Sequence, residues 1–451
     1  MSRTSLPAKK LAKALDRVDR AQTRVARRYP GDGGARQAVH TVYGGAHLFT
    51  ADTAGKLGEL AVRALDRYAP DPHAFAEALN IRGDLAGKVY DRVRDKLGRE
   101  PVEDFRIDFE DGYGNRADEE EDGHAAAAAH QVALGVERDS LPPFIGIRIK
   151  PLSKELAPRS LRTLDIFLSE LVERIHAVPA GFVVTLPKIT SRTDVEVLVD
   201  AFDALEDALG LGAGALRMEI MVETTQSIFD AQGRCALPRL HRAAAGRLVA
   251  AHFGTYDYTA SCDITAAHQR MRHPACDYAK HAMKVAFAGT GVMLSDGATN
   301  IMPVGPHRGN DLTDQQQREN RAAVHAAWRL HADDLRHSLV NGFYQGWDLH
   351  PAQLPSRYGA VYGFFLDGLA AASERLRNFV GKAAQATLVG DVFDDAATGQ
   401  GLLNYFLRGI ACGAVTEQEA LATGLTLDEI RSKSFVKILA ARRAVPTAPE
   451  A

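Results

Sequence analysis

An α/β fold of the TIM (β/α)8 barrel type is what the sequence predicts, with a helical extension at its N-terminus and a helical region at its C-terminus. Three observations predict it. From residue 39 onward short apolar runs alternate with longer helical patterns, the signature of a parallel sheet with crossover helices. Eight such runs can be counted, the number that closes a barrel. No GxGxxG follows the first run, which weakens the structural alternative, a doubly wound open sheet.

Residues 1–38 form the N-terminal extension, in which Leu11, Leu15 and Val18 stand at helical spacing among Lys, Arg and Ala before the break "RRYPGDGG". A basic amphipathic helix followed by a loop is expected, and a solvated surface helix or an oligomer contact is favoured over a membrane or nucleic-acid role. The barrel is expected over residues 39–380. Its runs are "HTVYGGA", then after a long stretch (55–103) "DFRIDFEDGYG", "FIGIRIKPL", "FVVTLPKIT", "LRMEIMVET", "LVAAHFGTYDYT", "GVMLSDGA" and "GWDLHP". Between them, segments such as "SRTDVEVLVDAFDALEDALGLG" carry an apolar helical stripe and a glycine stop. The acidic run "ADEEEDG" reads as a solvated loop and helix entry. Residues 381–451 read as helical and polar, with a capped helix start at Thr426 in "TLDEI" and a loose tail in "AVPTAPEA".

The second run has strand periodicity, because Phe105, Ile107 and Phe109 alternate with Arg106, Asp108 and Glu110. An edge strand facing water would explain three charges on one face, and so would a strand whose polar face lines a cavity. In a barrel the apolar half faces the helices and the charged half points inward. Arg106 then lies deepest and needs an acid, for which Asp108 is the simple partner.

Composition excludes several function classes. The chain has 451 residues, 46% hydrophobic and 25% charged, with a formal net charge of -3, so nucleic acid and anionic membrane are not expected partners. No apolar run approaches the roughly 18 to 20 residues of a membrane span, and the N-terminus lacks the apolar block of a signal peptide. A cytoplasmic protein is expected. Cys235, Cys262, Cys276 and Cys412 form no CxxC pair and no HExxH is present, which points away from disulfide frameworks and zinc hydrolases.

A barrel's active site lies at the C-terminal ends of its strands, so the charged residues there matter most. The second strand offers Asp108, Glu110 and Asp111, the third Arg148, the fourth Lys188, the fifth Glu223, the sixth Asp257 and the eighth His350. His47, after the first strand, could reach the mouth. Buried charges cost several kcal/mol each unless paired or bound to metal. The bland reading is a structural ring of ion pairs, in which Lys188 and His350 are supports. The sharper one is a site with two metal-binding carboxylates, Glu223 and Asp257, and cations for an anionic substrate.

The ordered set "DFEDG", "IRIKP", "LPKI", "VETTQSI", "FGTYDYT" and "GWDLHPAQ" resembles the HpcH/HpaI aldolase and citrate lyase beta-subunit family, which includes malyl-CoA lyases, within the phosphoenolpyruvate/pyruvate-type barrels. That family carries Asp-Leu-Glu-Asp on strand two, an Arg on strand three, Pro-Lys on strand four, Glu-Thr on strand five, Gly-x-x-Asp on strand six and Ile-His-Pro on strand eight. The match spans about residues 39 to 365. The resemblance implies a magnesium-dependent lyase or aldolase that cleaves or forms a carbon–carbon bond in a small oxo or hydroxy acid, or its CoA ester, through a metal-stabilised enolate. It implies Glu223 and Asp257 as ligands of Mg2+ (or Mn2+), and Arg148 as the group binding the substrate carboxylate or thioester and the developing oxyanion. It places Glu110, Asp111 and Lys188 in the catalytic set, and His350, with His47 from its position, near substrate. It also implies a homo-oligomer. Two alternatives stand beside it: phosphoenolpyruvate or pyruvate chemistry on the same barrel, and a non-catalytic barrel that binds a carboxylate as a partner subunit. "GGAHLFTADTAGK" replaces the family's Pro-Gly-rich opening, so a free oxo acid or phosphorylated substrate stands level with an acyl-CoA.

Overall fold

Eight parallel strands close into one barrel: β1 (His40–Gly45), β2 (Asp104–Asp108), β3 (Phe144–Arg148), β4 (Val183–Leu186), β5 (Met218–Val222), β6 (Leu248–Phe253), β7 (Met293–Ala298) and β8 (Gln345–Asp348), with β8 paired back to β1. The computed structural model describes residues 5–31, 35–381, 387–389, 392–394 and 396–444. Strand alternation sorts the two faces. Phe105, Ile107, Ile145, Ile147, Val184, Leu186, Ile220 and Val222 belong to the apolar core beneath the helices. Arg106, Asp108 and Arg148 fall on the other face, as expected for an interior strand.

Helix α1 (Ala8–Arg28) precedes the barrel and has no buried residue. The stretch between β1 and β2 holds three helices, α2 (Thr53–Tyr68), α3 (Pro72–Leu79) and α4 (Ala86–Arg99), where one is usual for this fold. Then follow α5 (Asp118–Glu137), α6 (Ala157–Ile175), α7 (Arg192–Leu209), α8 (Thr225–Ile228), α9 (Leu237–Ala243), α10 (Thr255–Ser261), α11 (Pro274–Phe287), α12 (Asp314–Val340) and α13 (Leu354–Gly381). Local chemistry sets their ends. Ser191 and Asp194 make a reciprocal capping box at the start of α7, and Gly210 ends it in the left-handed conformation at φ 68°. Among the described residues no helix is long and apolar enough to cross a membrane.

Three features depart from the sequence reading. A two-stranded antiparallel hairpin, β9 (Thr387–Val389) and β10 (Val392–Asp394), interrupts the region expected to be helical. The helices after it, α14 (Ala396–Ala411), α15 (Glu417–Ala420), α16 (Leu427–Arg431) and α17 (Phe435–Ala444), are not simply polar: Leu403, Phe406, Ala420 and Ile430 join the main core. Thr426 does cap α16, accepting from the Glu429 N–H; the tail after Ala444 lies outside the described residues. The third is the acidic run. Its Glu121 is buried and paired with Lys150 at 2.7 Å, so it ties α5 to the end of β3.

The barrel floor is polar. Arg106 donates to both oxygens of Glu219, each at 2.8 Å, and also pairs with Asp104. Thr41 donates to Asp104 at 2.8 Å and Thr185 donates to Glu219. Trp347 donates to His252 Nδ1 at 3.2 Å, which leaves the proton of a neutral ring on Nε2, 3.2 Å from Glu219. TIM barrels commonly fill this space with branched aliphatic side chains. Here a closed set of ion pairs does so, which defines the arrangement of the floor more than it adds stability.

Candidate active site

Parallel register decides which strand ends meet. Asp108 lies level with Arg148 across β2 and β3, and the Arg148 guanidinium donates through Nε and Nη2 to the two Asp108 oxygens, with Nε to Oδ1 at 2.7 Å. This corrects the expected Asp108–Arg106 pair: Arg106 is one turn of the pleat lower and takes Asp104 and Glu219. Asp108 also accepts from the N–H groups of Glu110 (2.9 Å) and Gly112 (2.7 Å). Space at Gly112 is limited for the same reason, because a Cβ there would lie 2.5 Å from Asp108 Oδ2. The clamp is thus fixed on three sides.

Arg148 lies over the Tyr43 ring, 4.7 Å from its centroid, and Tyr43 in turn lies 4.7 Å from Trp347. The aromatic pair is a platform that sequence reasoning missed, since β1 and β8 carry no charge at these positions to signal it. A guanidinium stacked on a ring and clamped at Nε and Nη2 keeps its orientation. Its Nη1 lies 2.9 Å from Glu110 Oε2, although that oxygen receives no hydrogen bond. Of five N–H groups, two go to Asp108 and one faces Glu110, which leaves two for a ligand.

Lys188 organises the other half. It follows Pro187 in the left-handed conformation, φ 49°, and its backbone N–H donates to Glu223 Oε1 at 2.7 Å. Its ammonium contacts Glu110, lies 2.9 Å from Asp111 and 3.6 Å from Asp257. Burial pulls the lysine pKa down, but Glu110 and Glu223 reverse the effect and raise it above its ordinary value. A lysine held charged in this way is neither a Schiff-base nucleophile nor a general base.

Glu223 is fully buried, whereas the Asp257 side chain, in the first turn of α10, is 41% exposed. Burial, followed by the Asp257 charge, pushes the Glu223 carboxyl up to about 8. Gly254 makes the room for it: a Cβ there would lie 2.3 Å from Glu223 Oε2 and 2.6 Å from its Cβ. Gly254→Ala is therefore expected to displace Glu223 and to cost about 1–3 kcal/mol in urea unfolding. A variant as stable as the parent would show that Glu223 has room to move.

The structure thus brings Arg148, Glu110, Asp111, Lys188, Glu223 and Asp257 together, with Asp108 added. It places the two histidines differently. His350 caps the short turn Pro351–Gln353, its Nδ1 accepting from Ala352 N–H at 3.1 Å, and burial lowers its pKa. His47 packs against Tyr113 and His124, with centroids 5.6 and 6.1 Å away, beside the loop after β2. Its Nδ1 is buried without a hydrogen-bond partner among the described residues.

The donor set suits a hard divalent cation. Five carboxyl groups (Asp108, Glu110, Asp111, Glu223, Asp257) face two cations (Arg148, Lys188), a formal imbalance of three negative charges. Among the described residues no group of three or more His, Cys, Asp or Glu converges in metal-holding geometry. Mg2+ needs no such group, since it keeps several waters and is commonly held by one or two carboxylates together with substrate oxygens. Glu223 and Asp257 fit that description.

A family model described as "Domain of unknown function (DUF6986)" matches residues 18–438. No curated protein matches the chain at a significant level. Among solved structures, the chain is similar to a citrate lyase from Burkholderia xenovorans LB400, with TM-score 0.55 and 20% identity, covering 86% of this chain and 97% of that one. It is also similar to Haloferax volcanii malate synthase in a magnesium/glyoxylate complex, with TM-score 0.44 and 14% identity, covering 91% of this chain and 98% of that one. The first likeness supports the barrel fold.

Proposed function

The chain belongs to the DUF6986 family, and from the geometry of its barrel mouth we propose that it is a divalent-cation-dependent carbon–carbon lyase or aldolase acting on a small oxo or hydroxy acid or its CoA ester. The observation that carries the proposal is a rigidly clamped arginine in a mouth where the buried Glu223 and the part-exposed Asp257 neighbour one another and five carboxyl groups meet two cations. The citrate lyase of similar fold carries this reaction class in its name.

Arg148 binds the substrate carboxylate through its two remaining N–H groups and then meets the negative charge that develops on oxygen. Because Asp108 and Tyr43 hold it beforehand, no reorganisation is needed as charge forms. Glu223 and Asp257 would hold Mg2+ or Mn2+, which when bound supplies Lewis-acid stabilisation of that charge. In the cleavage direction the substrate hydroxyl gives its proton to a base, the carbon–carbon electron pair becomes the enolate pair, and an acid returns a proton to the enolate carbon. Asp111, 60% exposed and next to Lys188, is placed to exchange protons with solvent, and Glu110 is placed to pass them inward. Lys188 keeps both acids oriented.

A second reading has one observation in its favour. The Lys188 ammonium already sits among Glu110, Asp111 and Asp257, and could serve as the resident cation of a non-catalytic carboxylate-binding barrel. The two readings separate in one experiment. Oxo acids, hydroxy acids and their CoA esters are incubated with the protein and Mg2+, following release of pyruvate, glyoxylate or acetyl-CoA. The expected result is turnover that chelation abolishes and Mg2+ restores. Carboxylate binding without turnover, indifferent to chelation, would leave the binding barrel standing and remove the lyase.

A further inference from the structure

Beneath the polar floor, at the end of the barrel opposite the mouth, a cavity of about 400 Å³ opens among the N-terminal ends of the strands. All strands from β2 to β8 contribute to its wall. Phe144, Val178, Phe182, Val249 and Met293 make that wall largely apolar, and small residues at Ala38, Ala215 and Ala250 leave the space unfilled. The polar lining groups fall into two sets. Asp104, Arg106, Glu219 and Gln345 are buried and form the inner end, where they satisfy one another and their neighbours. Asp104 and Glu219 hold Arg106, while Gln345 donates to Thr41 at 2.9 Å and accepts from Gln37 at 3.2 Å. At the rim, Arg36 is likewise paired, 3.1 Å from Glu100 and 3.0 Å from Glu103. Arg217 is not. It is exposed, donates one N–H to the Gly246 carbonyl at 2.8 Å, and has no acidic partner among the described residues.

The volume lies within the range of about 300–1,000 Å³ typical of small-molecule sites, which are likewise mostly apolar with a few placed polar groups. We infer that the cavity is a binding site for a small amphipathic anion, a monocarboxylate with an apolar tail. The two sets of polar groups decide its orientation. A carboxylate at the inner end would compete with Asp104 and Glu219 for Arg106 and meet their charge, whereas at the rim it meets the free N–H groups of Arg217. The tail therefore lies against the apolar wall and the head group on Arg217. The floor ion pairs separate this site from the mouth, so its occupancy is independent of the chemistry proposed there.

The test is calorimetric titration of the full chain with octanoate, 1-octanol and acetate, each below its aggregation limit. Octanoate is expected to bind, 1-octanol to bind roughly two- to fivefold more weakly, the scale of an exposed ion pair, and acetate, which lacks the tail, not to bind. Arg217→Gln is expected to bring octanoate to the 1-octanol level and to leave 1-octanol unchanged. Ala180→Trp, at an exposed lining position, fills the space and is expected to weaken octanoate about tenfold or more. Ala35→Trp, also exposed and lining, serves as the second variant should Ala180→Trp fail to fold. Arg148→Met at the mouth is expected to leave octanoate binding unchanged. Octanoate should also raise the melting temperature of the parent and not that of Ala180→Trp. Absence of octanoate binding, equal affinity for octanoate and 1-octanol, or octanoate binding that both tryptophan variants retain overturns the site, as does binding that Arg148→Met abolishes.

Discussion

Arg148→Lys is expected to lower kcat/KM roughly 10²–10³-fold, the scale on which removal of one oxyanion donor acts. Charge is conserved in this variant, so the loss measures geometry. An ammonium cannot occupy both Asp108 oxygens and still present two parallel N–H groups to a carboxylate. It also loses the flat face that lies over Tyr43. Asp108 would keep its bonds from Glu110 and Gly112 N–H, so the loop after β2 should hold its shape and the fold should survive. Steady-state kinetics with the substrate identified by turnover gives one readout. Calorimetric titration with oxalate and Mg2+, which needs no turnover, gives another and should show weakened binding. Near-parental values in both would take Arg148 out of the mechanism.

Glu223→Gln should do two opposite things. It should abolish calorimetrically detected Mg2+ or Mn2+ binding, because one of two carboxylate ligands is gone. It should also stabilise the cation-free protein at alkaline pH. In the folded chain the carboxyl is pushed up to about 8 against an ordinary 4.5, so the folded state holds its proton more tightly than the unfolded state does. Below about pH 4.5 both states are protonated and the shift makes no difference. As pH rises from there, the unfolded chain ionises first and folding stability falls, until the folded carboxyl also ionises near pH 8 and the loss is complete. That loss is on the order of a few kcal/mol. Glutamine resembles the protonated acid, can still accept the Lys188 N–H, and should flatten this dependence. Denaturant unfolding at pH 5 and pH 9, with and without Mg2+, checks it. Parallel pH profiles for parent and variant, or equal Mg2+ affinity, would sink the assignment of Glu223.

Much of the barrel was legible because its outward positions are so consistently apolar. In β2 and the residue after it, Phe105, Ile107 and Phe109 mark the helix-facing side without help from any other strand. The charged residues at strand ends could be found for the same reason, since alternation and position along a strand are local properties. Pairing across strands is not local. That Asp108 meets Arg148 and Arg106 meets Glu219, 113 residues away, depends on register and barrel closure, neither of which one strand encodes. The Tyr43 and Trp347 platform was hidden for a related reason: aromatic residues in strands normally signal core, and only their placement inside the barrel gives them Arg148 to support. Glu121 looked solvated because its neighbours Asp118, Glu119 and Glu120 are, and its burial follows from the turn of α5 that carries it toward Lys150.

Lys188 sets a backbone cost against a charge requirement at one residue. A non-glycine side chain at φ 49° carries a conformational cost of about 1 kcal/mol, which glycine would relieve while keeping the N–H that Glu223 accepts. Glycine would also remove the ammonium that gathers Glu110, Asp111 and Asp257. The buried Glu110 would then have Arg148 as its remaining cation among the described residues, and losing one partner of a buried pair costs more than the strain relieved. The left-handed lysine is thus a local strain that its surroundings over-determine: the backbone turns against its preference because the acids around it require a cation there.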